Sequence, residues 1–552
     1  MTNINRGYGF STIVNFYRRE VESPGTRILI MATVSGISGA VLLGLINMAA
    51  QMASEREIHA RLFSLFIAAL LLYIYTRRFA LEEATSGAEV AVNKVRVRIT
   101  DKLRRADLQF IEGVGDTKIY TRISQETALL SQAAFIIVDA LQSVILLVAC
   151  FAYIFIISGL AFMMTVAAIA VGISLYFVNT KEINREMRQA AAKEEEFFEL
   201  LSHVLAGFKE IKLNHRRNEE IYRVIKGVAD ETQRLKLNTN SKFLVDYMFG
   251  QVFFYALLGV MVFVLPAMVE IDAKDVAKLA STLLFIIGPL TAAVSSVQIF
   301  SKTSISIENL YSLEEMIDNS TKLAASAPPP PVTPAFELIT LENLVFNYMD
   351  QTGASAFQVG PVDMEIKRGE TIFLVGGNGS GKSTLLKLMT GLYNPRSGKI
   401  KIDGKFVEAS GMQGYREYFT AIFGDFHLFD RLYGLEGVAD GRVDELLRLV
   451  MLEKKTEFRD GKFSNLELST GQRKRLALVV SFLEDKPIYV FDEWAADQDP
   501  EFRRFFYDTI LSGLKERGKT VIAVSHDDRY FKHADRTLRM DYGRVVEATD
   551  NR

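Results

Sequence analysis

Charged and uncharged stretches divide this chain of 552 residues into two unlike parts. The first part contains five windows without Asp, Glu, Lys or Arg, at Ile28–Ser54, Leu62–Thr76, Ala140–Thr180, Tyr247–Val269 and Leu279–Ser301. A helix needs about 20 apolar residues to cross a bilayer core. The window at 140–180 holds 41 residues and therefore predicts two spans that turn near Ser158–Gly159. We predict six spans, at about 28–54, 62–76, 140–157, 160–180, 247–269 and 279–301.

The window Leu62–Thr76 is short for a span, but Arg61 and Arg77 at its ends can extend their charged groups to the lipid headgroups. Buried helices of a soluble protein are the alternative explanation for any single window. Six such stretches in one chain favour a lipid bilayer as a partner. The spans also contain uncharged polar residues that can face a cavity or hydrogen-bond between helices: Asn47, Gln142, Gln251 and Gln298.

Basic residues between the spans predict their orientation. Residues 1–27, 77–139 and 181–246 carry 4, 10 and 13 Lys and Arg, whereas residues 55–61, 158–159 and 270–278 carry 2, 0 and 2. Both termini and the two long loops are therefore expected in the cytoplasm. Apolar residues at helical spacing in these loops predict that the spans continue as helices beyond the membrane. Turn-like patches at 113–116 and 206–208 are predicted contact points with the next domain.

A Pro-rich stretch at 324–335 ends the membrane part and predicts a stiff, extended linker. From Phe336 onward the hydropathy is that of a soluble α/β domain. We therefore predict a multidomain fold: an all-α, six-helix transmembrane domain at 1–323 with long cytoplasmic helical extensions, then the linker, then an α/β phosphate-loop domain at 336–552. The mean hydropathy of +0.14 is high for a soluble protein and agrees with this division.

One motif in the second part predicts a nucleotide site. The residues Gly376-Gly377-Asn378-Gly379-Ser380-Gly381-Lys382-Ser383 match the pattern G-x-x-x-x-G-K-[ST], between a strand-like run and a helix-like run that starts at Thr384. Backbone N–H groups of such a loop surround phosphate oxygens, and the helix N-terminus adds the positive end of a dipole. Lys382 can reach the β and γ phosphates, and the Ser383 hydroxyl can ligate Mg²⁺. We predict that residues 376–384 bind ATP.

Three later segments complete the candidate chemistry. The strand-like run Ile488–Phe491 ends in Asp492 and Glu493. Asp492 can serve the Mg²⁺ shell, and Glu493 is placed to polarise an attacking water. The loop Leu468–Gln472 precedes a helix-like run, and the strand-like run Val521–Val524 precedes Ser525 and His526.

The cysteine content and the net charge limit which other sites and partners are expected. Cys150 is the only cysteine, so an intramolecular disulfide and a metal site built from several cysteines are excluded. Its apolar surroundings predict an inert packing residue. The net charge of −2 argues neither for nor against nucleic acid, and we predict no nucleic-acid partner.

These motifs, in this order, resemble the ATP-binding-cassette family over essentially the whole chain. The loop Leu468–Gln472 is similar to the signature loop of that family, with Thr470 where Gly is commoner. The resemblance assigns further nucleotide-contacting roles to Ser469, Gly471 and Gln472 of this loop, to the D-loop residue Asp499, to the γ-phosphate-contacting His526 and to the adenine-stacking Tyr348. The predicted catalytic residues are therefore Lys382, Glu493 and His526, with ATP and Mg²⁺ as cofactors.

The resemblance also implies a dimer. In that family two cassettes enclose two ATP molecules, and this chain supplies one cassette and six spans, so a homodimer is expected. Ser469 and Gly471 would then complete the site of the second chain and stabilise charge on the transferring phosphoryl group. Helix turns near Gly115 and Gly207 would transmit cassette motion to a midplane cavity. The expected location is the inner (plasma) membrane, with the cassette in the cytoplasm.

The segment Phe491–Pro500 resembles a narrower group. Most members of the family have Pro where Trp494 stands and Ala where Asp497 stands, whereas this version is similar to cyclic-peptide exporters, including pyoverdine-type siderophore exporters. The alternative is that Trp494 is a packing substitution without meaning for the substrate. The predicted function is ATP-driven export of a cyclic peptide or of a peptide siderophore or its precursor.

One position departs from the family pattern. Gly424 stands where the glutamine of the Q-loop is expected, and glycine has no side chain to ligate Mg²⁺. A water molecule or Asp425 is expected to replace the amide.

Three other functions fit parts of the sequence. An importer with the same six-span fold is not distinguished by sequence. A membrane-anchored ATPase could regulate a partner without moving a solute. A soluble mechanical ATPase is disfavoured by the six predicted spans.

Overall fold

The computed structural model describes residues 10–21, 25–54, 60–320, 335–349, 355–435 and 437–550. Its contacts divide the chain into two compact units, Met1–Arg104 with Val114–Ile317, and Arg105–Gly113 with Asp318–Arg552. The predicted linker lies outside the described residues except for Ala335. The short segment Arg105–Gly113 therefore belongs with the second unit although it lies between helices of the first.

Helices make up the first unit. Their bounds, including the short helix α4 that mostly falls in the second unit, are α1 Phe10–Glu20, α2 Thr26–Ser54, α3 Ala60–Leu103, α4 Leu108–Val114, α5 Asp116–Ile157, α6 Gly159–Ala206, α7 Phe208–Leu213, α8 His215–Gly259, α9 Leu265–Met268 and α10 Ala273–Ser320. A π-helical segment, Val260–Val264, joins α8 to α9. Helices α3, α5, α6, α8 and α10 have 42 to 48 residues. At about 1.5 Å per residue they are roughly twice as long as a bilayer core is thick, so the predicted helical extensions are confirmed.

Among the described residues, five helical stretches are long and apolar enough to cross a membrane: Thr26–Met52, Ala60–Leu103, Asp116–Ile157, Gln251–Met268 and Ala273–Ser320. Each of them contains or overlaps a predicted span. The sixth predicted span, 160–180, falls on α6, where Gly159–Gly172 is a shorter apolar helical stretch. The count of six spans remains a prediction.

Asn47 shows what a polar residue within a span does here. The Ser281 hydroxyl on α10 donates a hydrogen bond of 2.8 Å to Oδ1 of Asn47 on α2. Both residues lie in charge-free stretches. Lipid offers no hydrogen-bond partner there, so a side-chain bond between helices satisfies these polar groups. For Asn47, the helix–helix alternative is therefore the observed one.

A buried cluster of charges joins α1, α3 and α10 outside the predicted spans. Arg98 donates to Glu20 over 2.7 and 2.8 Å and to Glu314 over 2.8 Å. Lys102 adds a second ion pair of 2.8 Å with Glu314. The Glu20 side chain is fully buried, so its two-point pairing with the guanidinium offsets the cost of removing the carboxylate from water.

The described residues of the second unit form two larger sheets and a small hairpin. The strands are β1 Leu338–Met349, β2 Ser355–Lys367, β3 Thr371–Val375, β4 Ser397–Ile402, β5 Lys405–Phe406, β6 Phe419–Ile422, β7 Phe458–Arg459, β8 Lys462–Phe463, β9 Ile488–Phe491, β10 Thr520–Val524, β11 Arg536–Asp541 and β12 Arg544–Asp550. One antiparallel sheet has the order β2-β1-β4-β5, and the other has the order β12-β11-β3-β10-β9-β6. In the second of these sheets every neighbouring pair except β11 and β12 is parallel.

Helices cover the parallel sheet: α11 Lys382–Met389, α12 Met412–Arg416, α13 Asp440–Leu449, α14 Thr470–Glu484, α15 Pro500–Phe505 and α16 Ser512–Glu516. Successive residues of its central strands enter different cores. In β9, Tyr489 and Phe491 pack with the helical side, whereas Ile488 and Val490 pack with the antiparallel sheet. Because side chains alternate across a strand, both faces of this sheet are buried, as the unbroken apolar runs predict. The predicted α/β fold of the second part is confirmed.

Candidate nucleotide site

The sheet order brings the phosphate loop, the pair Asp492–Glu493 and the pair Ser525–His526 to one edge. Strands β3 and β9 both pair with β10, and all three run parallel. The phosphate loop follows β3, Asp492 and Glu493 follow β9, and Ser525 and His526 follow β10. Because carboxyl ends of parallel strands meet at the same edge, segments more than 100 residues apart in sequence become neighbours.

The phosphate loop has the backbone that its glycines predict. Gly379 and Gly381 have φ values of 76° and 100°, in the left-handed region. Gly376 has a φ of 149°, and a Cβ there would lie only 2.3 Å from the carbonyl oxygen of Met540. Any larger residue at Gly376 would collide with that backbone. Helix α11 begins at Lys382 directly after the loop, so its N-terminus faces the same space.

Lys382 lies inside this loop. The side chain is only 5% exposed, and its Nζ donates hydrogen bonds of 3.0 Å to the carbonyl oxygens of both Gly376 and Gly377. The same Nζ lies 4.0 Å from Oε1 of Glu493. The ammonium group thus lies where the phosphate loop meets the residues that follow β9. In this position it can neutralise phosphate charge.

Asp492 and Ser383 fit a Mg²⁺ ion. Oδ1 of Asp492 is buried and has no hydrogen-bond partner among the described residues. Burial raises the pKa of Asp492, while the adjacent Ser383 hydroxyl opposes that rise. An orphaned carboxylate oxygen beside a hydroxyl matches the oxygen ligands that Mg²⁺ prefers, with the rest of its shell left to phosphates and water. No cluster of three or more His, Cys, Asp or Glu that could hold a metal occurs within the described ranges.

Glu493 and His526 contact each other directly. Nε2 of His526 lies 2.8 Å from Oε1 of Glu493, and both side chains are slightly more than 40% exposed. They border a cleft of about 460 Å³ that is also lined by Arg503, Ser525 and Asp527. A partly exposed carboxylate held by an imidazole can accept a proton from a water molecule, which is the role predicted for Glu493.

Tyr348 lies on β1 next to the start of α11. Its hydroxyl is 3.2 Å from the Thr384 hydroxyl and donates to the Tyr393 hydroxyl at 3.3 Å. The ring is partly exposed, at 38% of the residue surface. Stacking on adenine remains a prediction, which this position supports.

In the described part of the chain, the signature loop and the phosphate loop are not bonded to each other. Ser469 is the N-cap of α14 and forms a capping box with Gln472, with hydrogen bonds of 3.4 and 3.1 Å. No hydrogen bond or ion pair links Ser469, Gly471 or Gln472 to residues 376–384 in the described part of the chain. Because Ser469 is exposed, this end of α14 is available to another surface.

Asp499 is the N-cap of α15. It accepts a hydrogen bond of 2.8 Å from the backbone N–H of Phe502 and forms an ion pair with Arg475 on α14. The Phe502 N–H, followed by Arg475, lowers the pKa of Asp499. Its predicted contact with nucleotide remains a prediction.

Sequence reasoning missed a group of residues on α4. Glu112 accepts hydrogen bonds from Lys387 at 2.8 Å and from the Tyr393 hydroxyl at 2.5 Å. Asn394 donates to Asp107 at 2.9 Å. These contacts precede the predicted contact patch at 113–116 by up to two helical turns. Acidic residues on a helix resemble a solvated surface in sequence, so no local signal could have distinguished them.

Trp494 is buried in the core of the second unit. It is 1% exposed, and its ring stacks on Phe506 with a centroid distance of 4.3 Å and an interplanar angle of 29°. This environment favours the packing interpretation of Trp494. At Gly424, a Cβ atom would meet nothing within 4 Å, so the backbone tolerates a side chain there.

Comparisons with known proteins agree with this geometry. Residues 359–496 match the family profile described as ABC transporter. The ATP-binding protein SyrD of Pseudomonas syringae pv. syringae is 31% identical over 532 residues, which cover 92% of each chain. An ATP-dependent lipid A-core flippase of Xanthomonas campestris pv. campestris is 28% identical over 360 residues, 62% of this chain and 59% of the flippase. A solved structure of a bacterial Atm1-family ABC exporter with ATP bound matches with a TM-score of 0.76 at 17% identity, over 98% of this chain and 95% of that one.

The chain belongs to the ABC transporter family. Its fold is that of an ABC exporter, with a helical membrane part followed by an α/β ATP-binding cassette. The cassette is an ATPase coupled to transport.

Proposed function

We propose that this protein exports a cyclic peptide, or a peptide siderophore or its precursor, across the inner membrane at the expense of ATP. The observation that carries the proposal is the grouping of Lys382, Asp492, Glu493 and His526 at one edge of the sheet, on a chain whose described part contains five helices of bilayer length. The substrate class rests on the resemblance of Phe491–Pro500 to cyclic-peptide exporters. The relative SyrD, similar over 92% of both chains, supports a transporter of the same overall organisation.

ATP would bind with its phosphates in the loop 376–383 and its adenine against Tyr348. Ser383 and Asp492 would hold Mg²⁺, which supplies positive charge that stabilises the transferring phosphoryl group. Lys382 adds charge from inside the loop. Glu493 accepts a proton from the attacking water, and His526 holds the carboxylate in place through the 2.8 Å contact.

The protein would act as a homodimer. The exposed signature loop, which lacks a bond to its own phosphate loop in the described part of the chain, supports a site completed by a second copy. In that arrangement the N–H and O–H groups at Ser469 and Gly471 face the phosphates bound by the other chain. The basic loops place both termini and the cassette in the cytoplasm.

Movement of the cassette would reach the membrane helices through α4. The bonds from Glu112 to Lys387 and Tyr393 connect it to the helix that follows the phosphate loop. Tyr393 in turn contacts Tyr348, so the nucleotide site and α4 share one hydrogen-bonded group. The segment around Gly207 is proposed as the second such connection.

The test is transport into inside-out membrane vesicles. Vesicles with the native protein or with Glu493→Gln receive labelled cyclic lipopeptides, peptide siderophore precursors or a lipid A-core preparation, with and without MgATP. We expect ATP-dependent accumulation of a peptide by the native protein only. Accumulation confined to right-side-out vesicles would show an importer, and ATPase activity without movement of any probe would favour a regulatory ATPase. Accumulation of the lipid alone would contradict the peptide class.

A further inference from the structure

A buried lysine on α14, the helix that begins in the signature loop, contacts the main chain of Glu493. Lys474 is 3% exposed, and its Nζ donates a hydrogen bond of 2.8 Å to the carbonyl oxygen of Glu493. The same Nζ forms an ion pair of 2.7 Å with Asp497. In return, Nε1 of Trp494 donates to the carbonyl oxygen of Lys474 at 2.9 Å. We call Lys474, Trp494 and Asp497 the clamp.

The clamp acts on a strained residue. Glu493 has a φ of 49°, in the left-handed region that residues with a Cβ adopt at a cost. A charge-assisted hydrogen bond to its carbonyl oxygen fixes the peptide plane that follows it. The buried ammonium of Lys474 needs a counter-charge, and Asp497 supplies one.

The clamp also joins Glu493 to the signature loop. Lys474 lies five residues after the N-cap Ser469, which is about 7.5 Å along the helix at 1.5 Å per residue. Gln498 donates to the carbonyl oxygen of Gly471 at 3.1 Å. A Cβ on Gly471 would come within 2.6 Å of the carbonyl oxygen of Asp497, so the two segments are in close contact. The first turns of α14 and residues 493–498 therefore form one rigid piece.

We propose that Lys474 is a positioning residue, which sets Glu493 for hydrolysis according to the position of the signature loop. Within the proposed two-chain arrangement, on which this role rests, contact of Ser469 with the nucleotide of the other chain would be transmitted through the clamp to Glu493. This role gives a reason for the presence of Asp497 and Trp494. Both residues depart from the family pattern in the segment 491–500, and neither has a part in the chemistry itself.

The test compares Lys474→Met with a matched control. Lys519→Met removes a lysine that likewise bonds a backbone carbonyl and a carboxylate, those of Asp485, at 2.8 and 2.9 Å. Lys519 precedes β10, at the end of the sheet opposite the nucleotide site. We expect Lys474→Met to lower kcat by about 10²-fold with KM for ATP within about twofold, because a shift of about 1 Å in a reacting group costs that much. Lys519→Met should leave both parameters near the native values.

Two further variants separate positioning from folding. Lys474→Arg keeps the charge and the donors and should recover most of kcat. Asp497→Asn keeps the shape but removes the counter-charge of Lys474, so kcat should fall while KM for ATP stays near its native value. If kcat fell in proportion to the melting temperature in all four variants, the loss would reflect stability, and the proposal would be overturned. Native kcat in Lys474→Met would overturn it as well.

The proposed two-chain arrangement is tested separately. Glu493→Gln without any change in the clamp must form a closed dimer in ATP, and its failure would refute that arrangement independently of Lys474. In the double variant Glu493→Gln/Lys474→Met, ATP should still close the dimer, because the clamp places Glu493 and does not bind nucleotide. Loss of closure there would assign Lys474 a structural role and contradict positioning.

Discussion

Glu493 combines a left-handed backbone with a carboxylate that contacts His526 on one side and approaches Lys382 on the other. The conformation is unfavourable for glutamate, so the surrounding bonds must hold it. Sequence reasoning identified the carboxylate from its place after an apolar strand. It could not identify the backbone conformation, or the bond that the Glu493 carbonyl accepts from a residue 19 positions away.

Replacement of Glu493 by Gln tests the proton-accepting role. The amide keeps the size and an oxygen that can contact His526, but it cannot accept a proton from water. We expect ATP binding to persist and hydrolysis to fall by about 10²- to 10⁴-fold, with the protein held as an ATP-bound dimer. Fluorescence of Trp494, the only tryptophan and the neighbour of Glu493, measures binding, and phosphate release measures turnover. Near-native turnover would remove Glu493 from the mechanism.

Replacement of Gly424 by Gln tests the departure from the family pattern. A Cβ at this position meets no atom within 4 Å, so the substitution is accommodated without steric strain. An added amide oxygen can join the Mg²⁺ shell, and ATPase activity should remain intact or rise. Gly424→Ala, which adds only a methyl group, is the control. A collapse of turnover in both variants would show that the glycine itself is required.

At the scale of elements, most of α4 packs within the second unit, although the neighbouring helices in the sequence belong to the first. Its Glu112 accepts bonds from Lys387 on α11 and from Tyr393, and its Leu108 packs against the core of the second unit. The Lys387 side chain is only 15% exposed, so this ion pair is better shielded from water than a typical surface pair. Helix α11 carries the phosphate loop at its start, so a shift of the loop moves Lys387 as well.

Glu112→Gln should uncouple ATP hydrolysis from substrate. The variant keeps a hydrogen-bond acceptor for Tyr393 but loses the charge that holds Lys387. We expect basal ATPase activity near the native value and a loss of its stimulation by transported peptide, because the nucleotide site itself is unchanged. Glu453→Gln, at an exposed position of the same unit, is the control. Full stimulation in Glu112→Gln would show that the contact does not carry the coupling.

At the scale of the whole molecule, the separation of the signature loop from its own phosphate loop predicts a site shared by two chains. Asn378 and Ser469 are both exposed, and Cys150, the only cysteine, is 1% exposed. In a Cys150→Ala, Glu493→Gln background, cysteines placed at these two positions should be joined between chains by a short thiol-reactive linker only when MgATP is present. Gel electrophoresis would show a product of twice the chain mass. The variant with cysteine at Asn378 alone should give none, and a linkage within one chain would contradict the shared site.

Contiguous patterns explain how much of the protein was predictable. The apolar windows, the phosphate loop at 376–383 and the acids after β9 are each encoded by neighbouring residues, and the structure has the predicted elements at each of them. The α/β fold followed from the hydropathy after Phe336 and from the strand-like and helix-like runs around the motifs. The α4 contacts and the clamp did not follow, because Glu112 and Lys474 look like ordinary helix-surface residues until their partners are known.

The sequence by itself determined the class of the protein and its long apolar helices, and it predicted the residues of the candidate nucleotide site, because local order along the chain encodes hydrophobic period, turn chemistry and motif. Only the tertiary structure decided which distant side chains meet. The bond from Lys474 to the Glu493 carbonyl, its ion pair with Asp497 and the bonds of Glu112 to Lys387 and Tyr393 depend on how helices and strands pack. Packing brings together residues from any distance in the chain, and no spacing in the sequence records it.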